Sequence, residues 1–456
     1  MRILKAIAVA ISAAAAFVSP TWGQSLIRDT EIEHMLRDYS DPLLLAAGLQ
    51  PADVSLYIVA DQTLNAFVTG GQNIFMHTGI LVAVETPNQL KGVIAHETGH
   101  ISGAHLARMS DGIQAAQGSM FVTLGLGLLA AMAGEGRAAG ALMASSQQFG
   151  TLSFLTYTRA QEASADQAAL VLLEGSGQSA AGLVEFFDRF RFQEVMSEAR
   201  RFPYFRSHPL SSERISALRN GVSTAEHYEV TDAPEELERL QRIQAKIYGF
   251  LVEPEYVFYR YPETDQTLPA RYARSVAYFH DAQLDEAREE IESLIAEEPE
   301  NPYFQELYGQ MLFESGRIEE SIPFHARSVE LEPSAPLLRI NLAIAMIASE
   351  EHALLDAAER HLRVALDIEP DNGFGWYQLS IVHERNGNTA LAQLAIAEQA
   401  YASGDTMRAM QFATRARTTL EVGTPAWIRA TEIQSVSAPT EAEMRRMRRQ
   451  QRRGHN

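Results

Sequence analysis

Residues 88–100 read NQLKGVIAHETGH. Leu90, Val93 and Ile94 recur at helical spacing, so the segment is a helix whose far end carries His96, Glu97 and His100. Histidines four apart project from one helix face, and both imidazoles reach a single ion. Glu97, one position on, is angled toward the open side of that ion, where a carboxylate can take a proton from water. Imidazole and carboxylate donors in a four-coordinate site point to zinc, which lowers the pKa of bound water toward neutrality. One Zn2+ per chain is the expected cofactor.

A catalytic zinc needs a third protein ligand and an open fourth position. Glu162 and Asp166 lie four apart in RAQEASADQAA, so they share a helix face. Ala163, Ala165, Ala168 and Ala169 mark that helix as buried, and an unpaired buried carboxylate is costly. Glu162 is therefore expected to bind the metal, with Asp166 accepting the N–H of a ligating histidine. The competing reading is a solvated acidic face. His105 is expected to turn away from the ligand face, at the surface or behind the ligands. His77 and His352 are expected to be structural.

Upstream of the motif, residues 27–39 read as a helix, residues 54–59 (VSLYIV) as a strand, and residues 66–76 (AFVTGGQNIFM) as strand, Gly-Gly turn, strand. A peptidase can bind its substrate as an added strand on a sheet edge. Asn73, Ile74, Phe75 and Met76 are the candidate edge, against the reading of an ordinary core hairpin. Residues 119–133 (SMFVTLGLGLLAAMA) are too few to span a bilayer reliably. Burial over the active site is the expectation there, with peripheral membrane contact as the alternative. A further helical pattern runs from about Gln147 through Leu173.

Beyond residue 269 the chain becomes repetitive. Pro299 and Pro333 are 34 residues apart, the tetratricopeptide period, and Pro370 follows at that period plus three. Small residues precede each proline in register: Ala287, then Ser321 and Ser328, then Ala358 and Ala365. Stacked repeats form a concave solenoid that docks protein segments and contributes no chemistry.

The chain has 456 residues, a net charge of −20 and no cysteine. The charge argues against nucleic acid and anionic surfaces as partners. The missing cysteines exclude disulfides, thiolate metal sites and cysteine nucleophiles. Arg2 and Lys5 precede an apolar run over residues 6–18, the pattern of a cleaved export signal ending near Gly23. The last segment is Arg-rich.

HETGH, followed some sixty residues later by EASAD and preceded by NAFVTGGQNIFMHTGIL, resembles the gluzincin metallopeptidases of the HtpX type, in their soluble branch with a signal peptide and C-terminal tetratricopeptide repeats. The resemblance implies His96, His100 and Glu162 as zinc ligands, Glu97 as general base and Asp166 as a partner behind them. It also singles out His208 in RSHPLSSERI. Held in an extended segment by Pro209, His208 is expected either to stabilise the oxyanion of the reaction or to reach the metal and close its fourth position.

The expected fold is α+β and mostly helical: a zincin-type domain with a small sheet over residues 24–260, then an all-α repeat solenoid over 269–433. Residues 1–23 are the signal and 434–456 a basic tail. The function implied by the resemblance is a periplasmic endopeptidase for misfolded or stalled outer-membrane proteins, with the outer-membrane assembly machinery as a partner of the repeats. The alternative is a chaperone or assembly adaptor with a mostly latent protease.

Overall fold

The computed structural model describes residues 26–132, 136–195, 208, 211–349 and 351–438; the expected export signal and most of the expected basic tail lie outside them. The chain divides into two compact units, and the division falls between Gln244 and Ala245. Asp29–Glu31 group with the second unit.

In the first unit, strand β1 (Leu26–Ile27) leads into helix α1 (Thr30–Ala46). Strands β2 (Ser55–Val59), β3 (Ala66–Thr69) and β4 (Asn73–His77) complete a four-stranded sheet in the order β1-β2-β4-β3. The β3–β4 hairpin turns at Gly70 and Gly71, whose φ values of 60° and 102° lie where a side chain is strained. β2 lies parallel to β4 from Ser55↔Asn73 to Val59↔His77. That pairing corrects the expectation for Asn73, Ile74, Phe75 and Met76: β4 has a neighbour on both sides and is not an edge. Ile74 and Met76 are fully buried in the core, which is why the strand sits inside the sheet. The edge strand of the hairpin is β3.

The helices that follow are α2 (Thr78–Ala83), α3 (Pro87–Ser102), α4 (Met109–Met132), α5 (Gly136–Gly175), α6 (Ala181–Val195) and α7 (Ser212–Ser223). α3 begins with Thr86 capping the Gln89 N–H and Pro87 in its first turn. Leu90, Val93, Ile94 and Ala95 are wholly buried, as are Leu183, Phe186 and Phe187 of α6. Gly99 lets α5 approach closely, because a Cβ there would stand 2.8 Å from the Ala165 carbonyl oxygen. That approach brings the two motif-bearing helices together.

α4 and α5 pair as a helical hairpin that buries some hydroxyls and exposes some apolar side chains. Ser119 and Ser153 meet between the helices at 2.6 Å, and Thr123 and Ser146 are buried. Phe121, Val122, Leu126 and Leu152 are each more than half exposed. The expectation of burial for residues 119–133 is not met at Phe121, Val122 and Leu126, while Met120 and Leu124 are half-buried. Among the described residues, no helix is long and apolar enough to cross a membrane.

α8 (Pro234–Leu251) spans the division, and α9 (Pro254–Arg260) follows it. Helix pairs then repeat: α10 and α11 (Leu268–His280, Leu284–Glu297), α12 and α13 (Pro302–Glu314, Ile318–Leu331), α14 and α15 (Pro336–Ala348, Leu355–Ile368), α16 and α17 (Gly373–Arg385, Thr389–Ala402), α18 and α19 (Thr406–Thr419, Pro425–Val436). First helices start at 268, 302 and 336, which is 34 residues each time, and then at 373. The three extra residues of the third unit are accommodated at a short 3-10 turn, His352–Leu354, between α14 and α15. Ala287, Ser321, Ser328, Ala358 and Ala365 are all buried where second helices pack. These are tetratricopeptide-like repeats.

Candidate metal centre

α3 presents His96, Glu97 and His100 from its last two turns, where the helix is held by its apolar face. α5 supplies Glu162 and Asp166. His208 comes from the segment before α7. The structure places His96, His100, Glu162 and His208 so that one ligand atom of each lies within 4.8 Å of the others. His96 Nε2 is 3.2 Å from His100 Nε2, 3.4 Å from Glu162 Oε2 and 3.3 Å from His208 Nδ1. His100 Nε2 is 3.4 Å from Glu162 Oε1, and His208 Nδ1 is 3.1 Å from Glu162 Oε2.

Those separations test the fit of a metal. Two donors each about 2.1 Å from a tetrahedral zinc stand about 3.4 Å apart. The five separations given above, 3.1 to 3.4 Å, are close to that length, and the set of three imidazoles and a carboxylate is one zinc accepts.

Behind the donors, Asp166 Oδ1 lies 3.0 Å from His96 Nδ1. Arg214 of α7 then clamps Asp166 by Nε–H and Nη2–H donation at 2.6 and 2.8 Å, and its Nη1 is 3.1 Å from Glu162 Oε2. Sequence reasoning missed Arg214. Its signal lay in the same quoted stretch as His208, where Ser211 caps α7 and points the next turn into the core.

Electrostatics follow from this packing. Burial depresses His96, but the Asp166 and Glu162 contacts outweigh it and raise its pKa to about 9. Burial, then His96 and His208, push His100 down to about 2, so its ring is neutral and has a lone pair to give. Burial raises Glu162, yet His208 and His96 hold it well below the carboxylate range. Burial raises Glu97, against the lowering influence of His208 and His96. Both Glu97 carboxylate oxygens are buried and accept no hydrogen bond from the described residues; Oε1 lies 3.5 Å from His208 Nε2. Such a carboxylate is poised to accept a proton rather than to bind a cation.

His105 does not lie on the surface. It is 6% exposed, and its Nδ1 is 3.0 Å from His100 Nδ1. His77 is also buried, with Nδ1 3.0 Å from the Thr63 hydroxyl, remote from these donors.

A histidine pair one helical turn apart, a glutamate from a second helix and an adjacent buried carboxylate define a metallopeptidase. Residues 28–222 match peptidase family M48. The chain is 25% identical over 413 residues to the putative beta-barrel assembly-enhancing protease of Vibrio cholerae serotype O1, covering 89% of this chain and 84% of that one. It is 24% identical over 333 residues to the beta-barrel assembly-enhancing protease of Escherichia coli strain K12, covering 71% and 66%. Metalloprotease LoiP of E. coli strain K12 is 32% identical over 178 residues, 38% of this chain and 64% of LoiP. Among solved structures, YrrB, a TPR protein with an unusual peptide-binding site, overlays 38% of this chain and 89% of its own at 18% identity and a TM-score of 0.32.

Proposed function

We propose that the chain is a zinc-dependent endopeptidase of the periplasm, acting on misfolded or stalled outer-membrane proteins. The supporting observation is the convergence of His96, His100, Glu162 and His208 at zinc-like separations beside the buried Glu97. His96, His100 and Glu162 would hold the ion, which when bound would supply a Lewis acid that makes water acidic enough to attack a peptide carbonyl. Glu97 takes the water's proton on a carboxylate oxygen and passes it to the departing amine nitrogen. Asp166 keeps the His96 proton on Nδ1, and Arg214 keeps Asp166 ionised. The substrate strand pairs with the β3 edge, Ala66–Thr69, through main-chain hydrogen bonds that do not read sequence.

With the ion bound, His208 Nδ1 would be placed to take the fourth position that water needs. The resting enzyme would then be closed, and His208 would have to leave that position before turnover. Displaced from that position, the ring would serve as donor to the oxyanion. A closed resting state also suits the second reading, a chaperone or assembly adaptor whose protease is latent. Relatives named for beta-barrel assembly support the outer-membrane assembly machinery as a partner of the repeats. We assign the peptidase to 24–260, the repeats to 269–433 and, outside the described residues, a cleaved export signal to 1–23. The exposed apolar face of the α4–α5 hairpin supports peripheral contact with a membrane.

Purified protein should carry one zinc and cleave unfolded casein, with cleavage stopped by a chelator. Glu97→Gln should keep its zinc and lose hydrolysis by a factor of at least ~100. Substantial cleavage by that variant would assign the base elsewhere. Loss of zinc from it would make Glu97 a ligand.

A further inference from the structure

His105 was outside the ligand set, yet the fold goes to some length to bury it against His100. α3 stops at Ser102, and Gly103 continues in helical conformation. Ala104 then takes φ 52°, a left-handed conformation that a residue with a Cβ enters at a cost. The reversal folds His105 back onto the helix end, where its N–H donates to the His100 carbonyl at 3.1 Å. Gly103 makes room for the ring, since a Cβ there would lie 2.4 Å from His105 Nε2. Gln161, next to Glu162, donates to the His105 carbonyl at 3.2 Å, and the Tyr157 hydroxyl donates to the Arg108 carbonyl at 2.5 Å. The turn is thereby tied to the helix that carries Glu162.

We propose that His105 is a positioning residue that fixes the tautomer and ring orientation of His100 through the 3.0 Å contact between their Nδ1 atoms. The inference rests on the reading of His100 as a zinc ligand through Nε2. A ligating Nε2 gives its lone pair to the ion, so the ring proton must sit on Nδ1. Two neutral ring nitrogens at 3.0 Å form a hydrogen bond only if one donates and the other accepts. His100 Nδ1–H therefore donates to His105 Nδ1, and the His105 proton is on Nε2. The two ligating histidines are thus supported unequally. His96 faces the Asp166 carboxylate, itself clamped by Arg214, whereas His100 faces a neutral ring. A neutral acceptor orients an imidazole without the added basicity a carboxylate confers.

The test uses the full chain. His105→Phe keeps ring volume and removes the acceptor, while His105→Asn places an amide oxygen where Nδ1 stood. Zinc affinity is read by competition with a chromophoric chelator. The Phe variant should bind zinc roughly 10- to 100-fold more weakly, and Asn should recover most of the loss. The visible absorption of the cobalt(II) form should change in the Phe variant and return in the Asn variant. Equal zinc affinity in Phe and parent overturns the inference, and so does a loss that Asn leaves unrepaired. Should the Phe chain fail to fold, Gly103→Ala, which pushes an intact His105 ring away, must weaken zinc in the same way or the inference falls. A parent chain that binds no zinc at all refutes the zinc reading itself, which separates that failure from failure of the His105 role.

Discussion

Arg214 shows how much of the centre depends on a residue that never meets the metal. Its guanidinium sits between Asp166 and Glu162 in a buried place, 4% exposed at its side chain. Removing one member of a buried charge cluster costs roughly 3–5 kcal/mol, so Arg214→Ala should lower stability by that order in thermal melts. The pH dependence has a definite sign. Burial raises Asp166, but Arg214 and His96 outweigh it and hold its native pKa below the ordinary 3.8. A carboxyl depressed in the native state stabilises above its unfolded pKa, and the contribution disappears as pH falls through the lower native value. The melting-temperature gap between parent and Arg214→Ala, both in chelator, should be full at pH 6 and shrink below pH 4. A constant gap would mean that Arg214 acts by packing alone. His208 yields a second expectation. If His208 Nδ1 takes the fourth position on the ion, as its place beside His96 and Glu162 suggests, His208→Ala should retain zinc through His96, His100 and Glu162. Release from closure should raise self-cleavage or client cleavage several-fold. A plain fall in turnover with zinc retained would leave the ring its oxyanion role alone.

At the scale of elements, a buried lysine joins the start of the chain to the repeats within the second unit. Lys246 of α8, 3% exposed, meets Asp29 at 2.6 Å and Glu31 at 3.2 Å. The Tyr272 hydroxyl of α10 donates to the same Glu31 oxygen at 3.0 Å. Glu306 of α12 lies in the same field and accepts from Asn341 of α14 at 3.0 Å. Burial raises the Glu306 pKa to about 7, against lowering by Lys246 and with Asp29 and Glu31 raising it further. The native state thus holds a proton that the unfolded chain gives up near pH 4.5. Stability from this group is full below pH 4.5 and is lost as pH rises to about 7. Glu306→Gln should remove that decline, seen as a flatter melting temperature between pH 5 and 8; an unchanged slope would place the titration elsewhere. None of this was legible in the sequence, because it depends on residues 29, 31, 246, 272 and 306 meeting across the fold. HETGH and EASAD were legible because a ligand pair one helical turn apart is a local pattern. The repeats were legible because a period survives without knowing what it packs against. The sheet edge was misread because β2 pairs in parallel with β4. Nothing local in VSLYIV says which side of the hairpin it joins. Of the two places open to His105, the surface and behind the ligands, the structure takes the second, and the sequence could not choose because the turn at Ala104 that folds the ring back is not a helical pattern.

At the scale of the whole molecule, net charge and the α4–α5 hairpin pull in opposite directions at a membrane. A charge of −20 repels an anionic surface over about one Debye length, roughly 8 Å at physiological salt. The α4–α5 hairpin, by contrast, hides Thr123 and Ser146 and shows Phe121, Val122, Leu126 and Leu152. Hydroxyls between helices with apolar side chains outside is the arrangement suited to a lipid surrounding rather than water. Each of those side chains gains up to about 1.5–3 kcal/mol if fully withdrawn from water, so several together can hold the protein on a bilayer. The balance predicts a lipid preference. The protein should float with neutral vesicles of phosphatidylcholine and phosphatidylethanolamine. It should float less with vesicles containing phosphatidylglycerol at low salt, and recover there as salt screens the repulsion. Replacing Phe121, Val122 and Leu126 together by serine should abolish flotation with neutral vesicles while leaving zinc content unchanged. Absence of flotation by the parent, or flotation indifferent to the triple replacement, would remove the hairpin as a membrane contact and leave its apolar face to a protein partner.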